Sequence, residues 1–159
     1  MANNSDLITW SDKFECGISL IDDQHKNIVA LINDMFNHVT EDAAQEHEYF
    51  NIIIQETVKY IKIHFATEEK IMLVTKFEGC LDHKKEHENF IIEVLDNIHY
   101  YNVGRRFTLS TFAGFLKDWL LSHIRLVDKQ YYEHLNSLAG KKSNFSPENK
   151  ISDIIAKCP

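Results

Sequence analysis

The sequence predicts an all-α fold: an antiparallel up-down-up-down four-helix bundle with an extended N-terminal arm. Three observations carry this expectation. Glycine (5) and proline (2) are scarce among 159 residues, and no proline precedes position 147. Nothing earlier forbids helix, because proline is the residue that removes a backbone donor and clashes with the preceding turn. Four stretches carry apolar residues in alternating steps of three and four, the spacing that keeps one helix face toward a core. Short segments join these stretches, and short connections set consecutive helices antiparallel.

The elements follow in order. Residues 1 to 17 read as the arm, with Trp10 and Phe14 as anchors over one end of the bundle and Gly17 as its end. Ser19 is the expected N-cap of the first helix, with Asp22 as capping-box partner and Asp23 adding negative charge to the first turn. That helix covers 19 to 39, with the seam Ile21, His25, Ile28, Ile32, Met35, Val39. The second starts between 41 and 44 and runs to 74, with the seam Phe50, Ile54, Thr57, Ile61, His64, Glu68, Ile71. Glu69 points about 100° away from Glu68 and is expected in solvent.

Gly79 marks the turn into the third helix, over 80 to 101, with the seam His83, His87, Phe90, Val94, Ile98, Tyr101. After a loop containing Gly104, the fourth helix covers 108 to 138 along Leu109, Phe112, Leu116, Trp119, His123, and Gly140 closes it. The bundle should occupy residues 1–140 as one domain, a size that buries a single core. The polar tail, 141–159, can form a short helix from Ser146-Pro147-Glu148 that carries Ile151, Ile154 and Ile155.

The net charge of −7 argues against nucleic acid or an anionic membrane as partner. Three widely spaced cysteines, Cys16, Cys80 and Cys158, make no C-x-x-C pair and no disulfide framework, which fits a reducing cytosol. The first residues show no signal peptide, and no apolar run is long enough to span a membrane, so a cytoplasmic location is expected. The pattern is compatible with a monomer, and any protein partner is left open.

Five histidines and two carboxylates interrupt the apolar seams: His25, His64, Glu68, His83, His87, His123 and Asp128. A pair four residues apart on a helix differs by only about 40° in direction, so His64 with Glu68 and His83 with His87 can each serve one site. A carboxylate buried without a partner costs several kcal/mol, and no lysine or arginine lies on the seams to meet Glu68. A cation is therefore expected. Seven protein ligands exceed what one transition metal takes, so two metals are implied, and each carboxylate can bridge them. Imidazole with carboxylate and no thiolate suits iron, with zinc, manganese and copper also compatible. The remaining histidines, His38, His47, His99 and His134, are expected off the site, at least three of them in solvent.

One spacing does not fit a regular helix. His123 and Asp128 are five residues apart, about 140° around the helix. The apolar seam breaks at the same place and restarts as Asp128, Tyr131, Leu135, Leu138. A single-turn π-bulge absorbs one extra residue, and one is predicted between His123 and Asp128.

These residues resemble the hemerythrin family, and especially its single-domain bacterial members. The family carries D-x-Q-H, H-x-x-x-E, H-x-x-x-H and H-x-x-x-x-D on four successive helices. Here they stand as Asp22-Asp23-Gln24-His25, His64 to Glu68, His83 to His87 and His123 to Asp128. The resemblance covers residues 8 to 138, with Phe77-Glu78 standing where bacterial members often have Tyr-Pro. It implies two iron ions (Fe2+/Fe3+) with a bridging oxo or hydroxo ligand, and reversible O2 binding as carrier, store or sensor rather than catalysis. It assigns His83, His87 and His123 to a coordinatively full iron and His25 and His64 to one with an open position. It makes Glu68 and Asp128 the bridges, and sets Ile28, Phe65, Leu120 and Ile124 around O2. The alternatives are a di-iron oxidase and an iron-donating or repair protein. Ferritin-like oxidases use repeated Glu-x-x-His pairs, and this chain has none.

Overall fold

The computed structural model describes residues 6–38, 40–104 and 108–141, the last three as backbone only. A short 3-10 turn, Asp12–Phe14, precedes α1 (Ser19–Asn37), α2 (Ala43–Thr75) and α3 (Cys80–Asn102). The fourth rod consists of α4 (Leu109–His123) and α5 (Lys129–Lys141), joined by a π turn, Ile124–Asp128. The predicted irregularity thus lies between His123 and Asp128. α1 packs on both α2 and α4, and α2 packs on α3, so the four rods form the predicted bundle.

Local chemistry explains several helix ends. The Asp42 side chain accepts hydrogen bonds from the backbone N–H groups of Ala44 (2.8 Å) and Gln45 (3.2 Å) and so caps α2. Thr108 caps α4 by accepting from Thr111 N–H at 3.2 Å. Each such cap contributes about 1 kcal/mol. Between α2 and α3, Lys76 adopts a left-handed conformation (φ 57°) and the Phe77 ring folds over Gly79. A Cβ at position 79 would meet that ring at 2.7 Å, so a larger residue there would require the Phe77 ring to shift.

Three boundary expectations are corrected. Ile18, not Ser19, holds the N-cap position of α1, with no side-chain cap. Asp22 instead accepts from the backbone N–H groups of Cys16 (2.8 Å) and Gly17 (3.1 Å), and so fastens the incoming loop. Gly140 does not close the last helix, which runs on to Lys141. One glycine costs a helix only about 1 kcal/mol, a weak stop signal. α1 ends at Asn37, and Val39 lies outside the described residues, as does the predicted helix in the tail.

The arm does not cover the end of the bundle. It runs antiparallel along α1. The Asn33 side-chain amide bonds both the N–H and the carbonyl of Ile8, each at 2.9 Å. Further along, the Trp10 ring lies 6.3 Å from that of His25, and Glu15 pairs with Lys26 at 3.6 Å. Trp10 and Phe14 are partly buried and pack against the larger core cluster as expected, and Ile8 is a further, fully buried anchor.

Two apolar clusters make the core. The larger includes Ile28, Ile32, Phe50, Ile61, Phe65, Phe90, Phe112, Leu116 and Leu120. The smaller comprises Ile18, Ile21, Ile71, Met72, Tyr131, Tyr132 and Leu135. On every rod the seam histidines and acids fall in sequence between the two clusters or at their border. Each fully buried aliphatic or aromatic side chain contributes about 1.5–3 kcal/mol, so the clusters can hold a polar layer closed from both sides. No helix among the described residues is long and apolar enough to cross a membrane.

Candidate metal centre

Each rod delivers part of the polar layer. α1 brings His25, α2 brings His64 and Glu68 one turn apart, and α3 brings His83 and His87 one turn apart. α4 ends on His123, and the π turn ends on Asp128. The structure brings all seven sequence-predicted residues into one cluster, none more than 3% exposed.

The nitrogens divide into a set of three and a set of two. The Nε2 atoms of His83, His87 and His123 form a triangle with sides of 3.1, 3.2 and 3.2 Å. The Nε2 atoms of His25 and His64 lie 3.1 Å apart. Both carboxylates touch both sets. Glu68 Oε2 lies 3.5 Å from His64 Nε2, 3.7 Å from His83 Nε2 and 3.3 Å from His87 Nε2. Asp128 Oδ1 lies 3.0 Å from His123 Nε2 and 3.3 Å from His83 Nε2, while Oδ2 lies 3.6 Å from His25 Nε2.

This arrangement is costly for protein alone. Glu68 Oε2 and both Asp128 oxygens accept no hydrogen bond, although both residues are fully buried. An unpaired charge in such a place costs several kcal/mol. Two groups of four donors each suit an ion: His83, His87, His123 with Glu68, and His25, His64, Asp128 with Glu68. Imidazole nitrogens bound at right angles about 2.1 Å from a common ion lie about 3.0 Å apart, against about 3.4 Å for a tetrahedral ion. The observed sides of 3.1–3.2 Å fall between these values, so the three nitrogens stand close enough together to share one ion.

Electrostatics agree with a site built for positive charge. Burial pushes the His64 imidazole down to about 4 and also lowers His25, so both present neutral nitrogen lone pairs. Burial acts to lower His83, but the Asp128 and Glu68 carboxylates outweigh it and hold it up at about 9. Burial acts to raise Glu68, yet His64, His83 and His87 hold it well below the usual carboxylate range. Asp128 is held down to about 2, with burial and Glu68 opposing and His123 and His83 prevailing.

Outer partners fix the rings. The Gln24 carbonyl oxygen accepts from His64 Nδ1 at 3.1 Å, and its amide nitrogen donates to Thr67 Oγ1 at 3.1 Å. Glu69 accepts from His87 Nδ1 at 3.2 Å, which corrects its expected place in solvent. The Glu69 side chain is only 27% exposed, while the His87 ring it meets is buried. The Tyr131 hydroxyl donates to Glu68 Oε1 at 2.7 Å. Phe65 stacks on His87 with ring centroids 3.7 Å apart, and Trp119 stacks on His123 at 4.3 Å. The sequence pattern marks Tyr131 only as a seam residue and Glu69 as lying off the seam.

A small apolar cavity of about 10 Å³, about the space of one water molecule, adjoins His64. Ile28, Phe65 and Leu120 line it, together with Ile61, Phe90, Leu116 and Trp119. Ile124, expected here, is buried but lines a separate groove beside the arm. It belongs to the same apolar cluster as Ile28, Phe65 and Leu120. Of the other histidines, His47 and His99 are exposed, whereas His38 stacks on Tyr49 at 3.5 Å and His134 Nε2 donates to the Thr75 carbonyl at 2.9 Å. Two rather than three are thus in solvent, and none enters the cluster.

Comparison with known proteins agrees with this geometry. The family model described as the hemerythrin HHE cation binding domain matches residues 16–135. The chain belongs to the hemerythrin family. It is 33% identical over 137 residues to a bacteriohemerythrin of Stenotrophomonas maltophilia, covering 84% of this chain and 87% of the relative. To a bacteriohemerythrin of Pseudomonas aeruginosa it is 36% identical over 128 residues, 79% of this chain and 80% of the relative. The myohemerythrin of Sipunculus nudus is 30% identical over 79% of this chain and 92% of its own length. A solved hemerythrin variant with one leucine replaced by alanine superposes with a TM-score of 0.71 at 25% identity, covering 82% of this chain and 98% of that one.

Proposed function

We propose that the chain binds O2 reversibly at a non-haem di-iron centre and acts as a carrier, store or sensor, not as an enzyme. The observation that carries this reading is the apolar cavity against His64, on the side of the cluster that has only two histidines. An ion held there has fewer protein ligands than its neighbour, and the small dry space lies beside it. The bacterial and sipunculid relatives named as hemerythrins support the choice of iron and O2.

His83, His87 and His123 would hold one ion, His25 and His64 the other, and Glu68 and Asp128 would bridge them. When bound, the iron pair supplies the two electrons that O2 takes up and returns. The chain's own residues do the rest. Gln24 fixes the His64 ring so that Nε2 faces inward. Tyr131 holds Glu68 by its outer oxygen. Ile28, Phe65, Leu116 and Leu120 line the cavity with apolar side chains, beside the His64 ring and the Trp119 indole. Such a wall slows the proton delivery that would turn reversible binding into oxidation. Residues 1–140 form the functional domain in this reading.

The test is a gas cycle. Iron-loaded protein is reduced without air, exposed to O2 and then purged with argon. A visible band that appears and disappears over repeated cycles, with about one O2 per two irons, supports the proposal. Continuous O2 consumption would favour an oxidase, and loss of iron on oxidation would favour an iron donor.

A further inference from the structure

The two histidine sets differ in what stands behind them. On the two-histidine side, His64 Nδ1 donates to a neutral amide, Gln24. On the three-histidine side, His87 Nδ1 donates to a carboxylate, Glu69. Glu69 in turn meets the Lys84 ammonium at 3.5 Å, and the Lys84 side chain is about half exposed. A charged group at the surface is thus connected to the centre through one carboxylate and one imidazole. Glu68, the next residue along α2, belongs to the cluster itself, so α2 places one acid inside and its neighbour behind His87.

A carboxylate behind an imidazole makes the ring a stronger electron donor to whatever its other nitrogen binds. A neutral amide orients the ring equally well without that push. The effect grows with the positive charge on the bound ion, so it favours the ferric state over the ferrous state. We propose that Glu69 is a positioning residue that also sets the redox balance of the centre: it holds the three-histidine iron toward the ferric state, and Lys84 partly offsets it. This inference rests on the di-iron reading and adds a division of labour between its two halves. It predicts opposite signs for the two side chains. Removing the charge of Glu69 disfavours oxidation, and removing that of Lys84 favours it. The Lys84 effect is the smaller, because solvent and salt screen an exposed pair.

The experiment compares the parent with Glu69→Gln and Lys84→Met. Iron content is measured first, and two irons per chain in all three proteins establishes the underlying reading independently. Redox titration followed by visible absorption then reads the balance. Glu69→Gln keeps the size and the hydrogen-bond acceptor, so a purely orienting role leaves the titration unmoved. The expected result is an increase of about tenfold in the reduced-to-oxidised ratio at fixed applied potential, about 59 mV for one electron. Lys84→Met should move the ratio the other way by less, and 1 M salt should abolish that shift. A Zn2+ competition titration of the metal-free chain involves neither O2 nor electron transfer, and here Glu69→Gln should weaken binding about tenfold. Unchanged potential and unchanged Zn2+ affinity in Glu69→Gln would overturn the proposal, as would a Lys84→Met shift in the same direction as Glu69→Gln.

Discussion

His123 Nε2 and Asp128 Oδ1 lie 3.0 Å apart although five residues separate them. On a regular α-helix they would point about 140° apart. The π turn over Ile124–Asp128 takes up the extra residue and returns Asp128 to the face that His123 occupies. The same turn brings Tyr131 and Leu135 onto the buried face of α5. One inserted residue therefore aligns two parts of the site and one apolar cluster.

If the turn is only an inserted residue, it can be removed. Leu126 is 66% exposed and lies inside the turn. Its deletion makes the spacing four, which a regular helix accommodates with both side chains on one face. The deleted protein should keep its full metal content and melt no lower than the parent. A folded protein that has lost metal would show that the π turn supplies more than phase.

The cavity wall gives a second expectation. Leu120 is 2% exposed and lines the space beside His64. Leu120→Asn places an amide where an apolar side chain now lines the cavity. Autoxidation of the O2-loaded protein should speed up by about tenfold or more while the metals stay bound, a change of about 1.4 kcal/mol in the barrier. An oxidation rate equal to the parent's would remove Leu120 from the O2 pocket.

Metal removal should loosen the bundle. Without ions, five imidazoles and two carboxylates remain in a core with unpaired oxygens. Binding to the folded state stabilises it by about 4 kcal/mol at ion concentrations about 1,000 times Kd. For a chain of this size that is about 10 °C in Tm. Calorimetry of metal-free and metal-loaded protein checks this, and equal melting would contradict it.

Tyr131 provides a separate handle on Glu68. Its buried hydroxyl makes a 2.7 Å bond to a carboxylate oxygen, the kind of bond that contributes about 1.5–3 kcal/mol. Tyr131→Phe should lower unfolding stability by that amount, measured by denaturant titration, without loss of metal. Unchanged stability would mean that Glu68 finds another donor.

The pattern of seven side chains was legible because each stands on a stripe whose other members are apolar. His64 and Glu68 continue a line that includes Ile61 and Ile71, and burial follows from that line alone. The π turn was legible for the same reason, since the stripe on the last rod changes phase where the ligand spacing does. Glu69 was not, because helical phase turns it away from the core and only the packing of α3 against α2 brings His87 to it. The path of the arm also escaped the sequence. Its course depends on the side-chain amide of Asn33 bonding the backbone of Ile8, a pairing without periodicity. Asp22 looked like a helix cap because its spacing from Ser19 fits one, yet the free N–H groups of Cys16 and Gly17 lie closer.

The most direct test of the account is the crystal structure of the iron-loaded protein with anomalous scattering at the iron edge. The account predicts two iron peaks per chain. One should be bound by His83, His87 and His123 and the other by His25 and His64, with Glu68 and Asp128 touching both. A single peak would contradict it, as would His38, His47, His99 or His134 bound to metal.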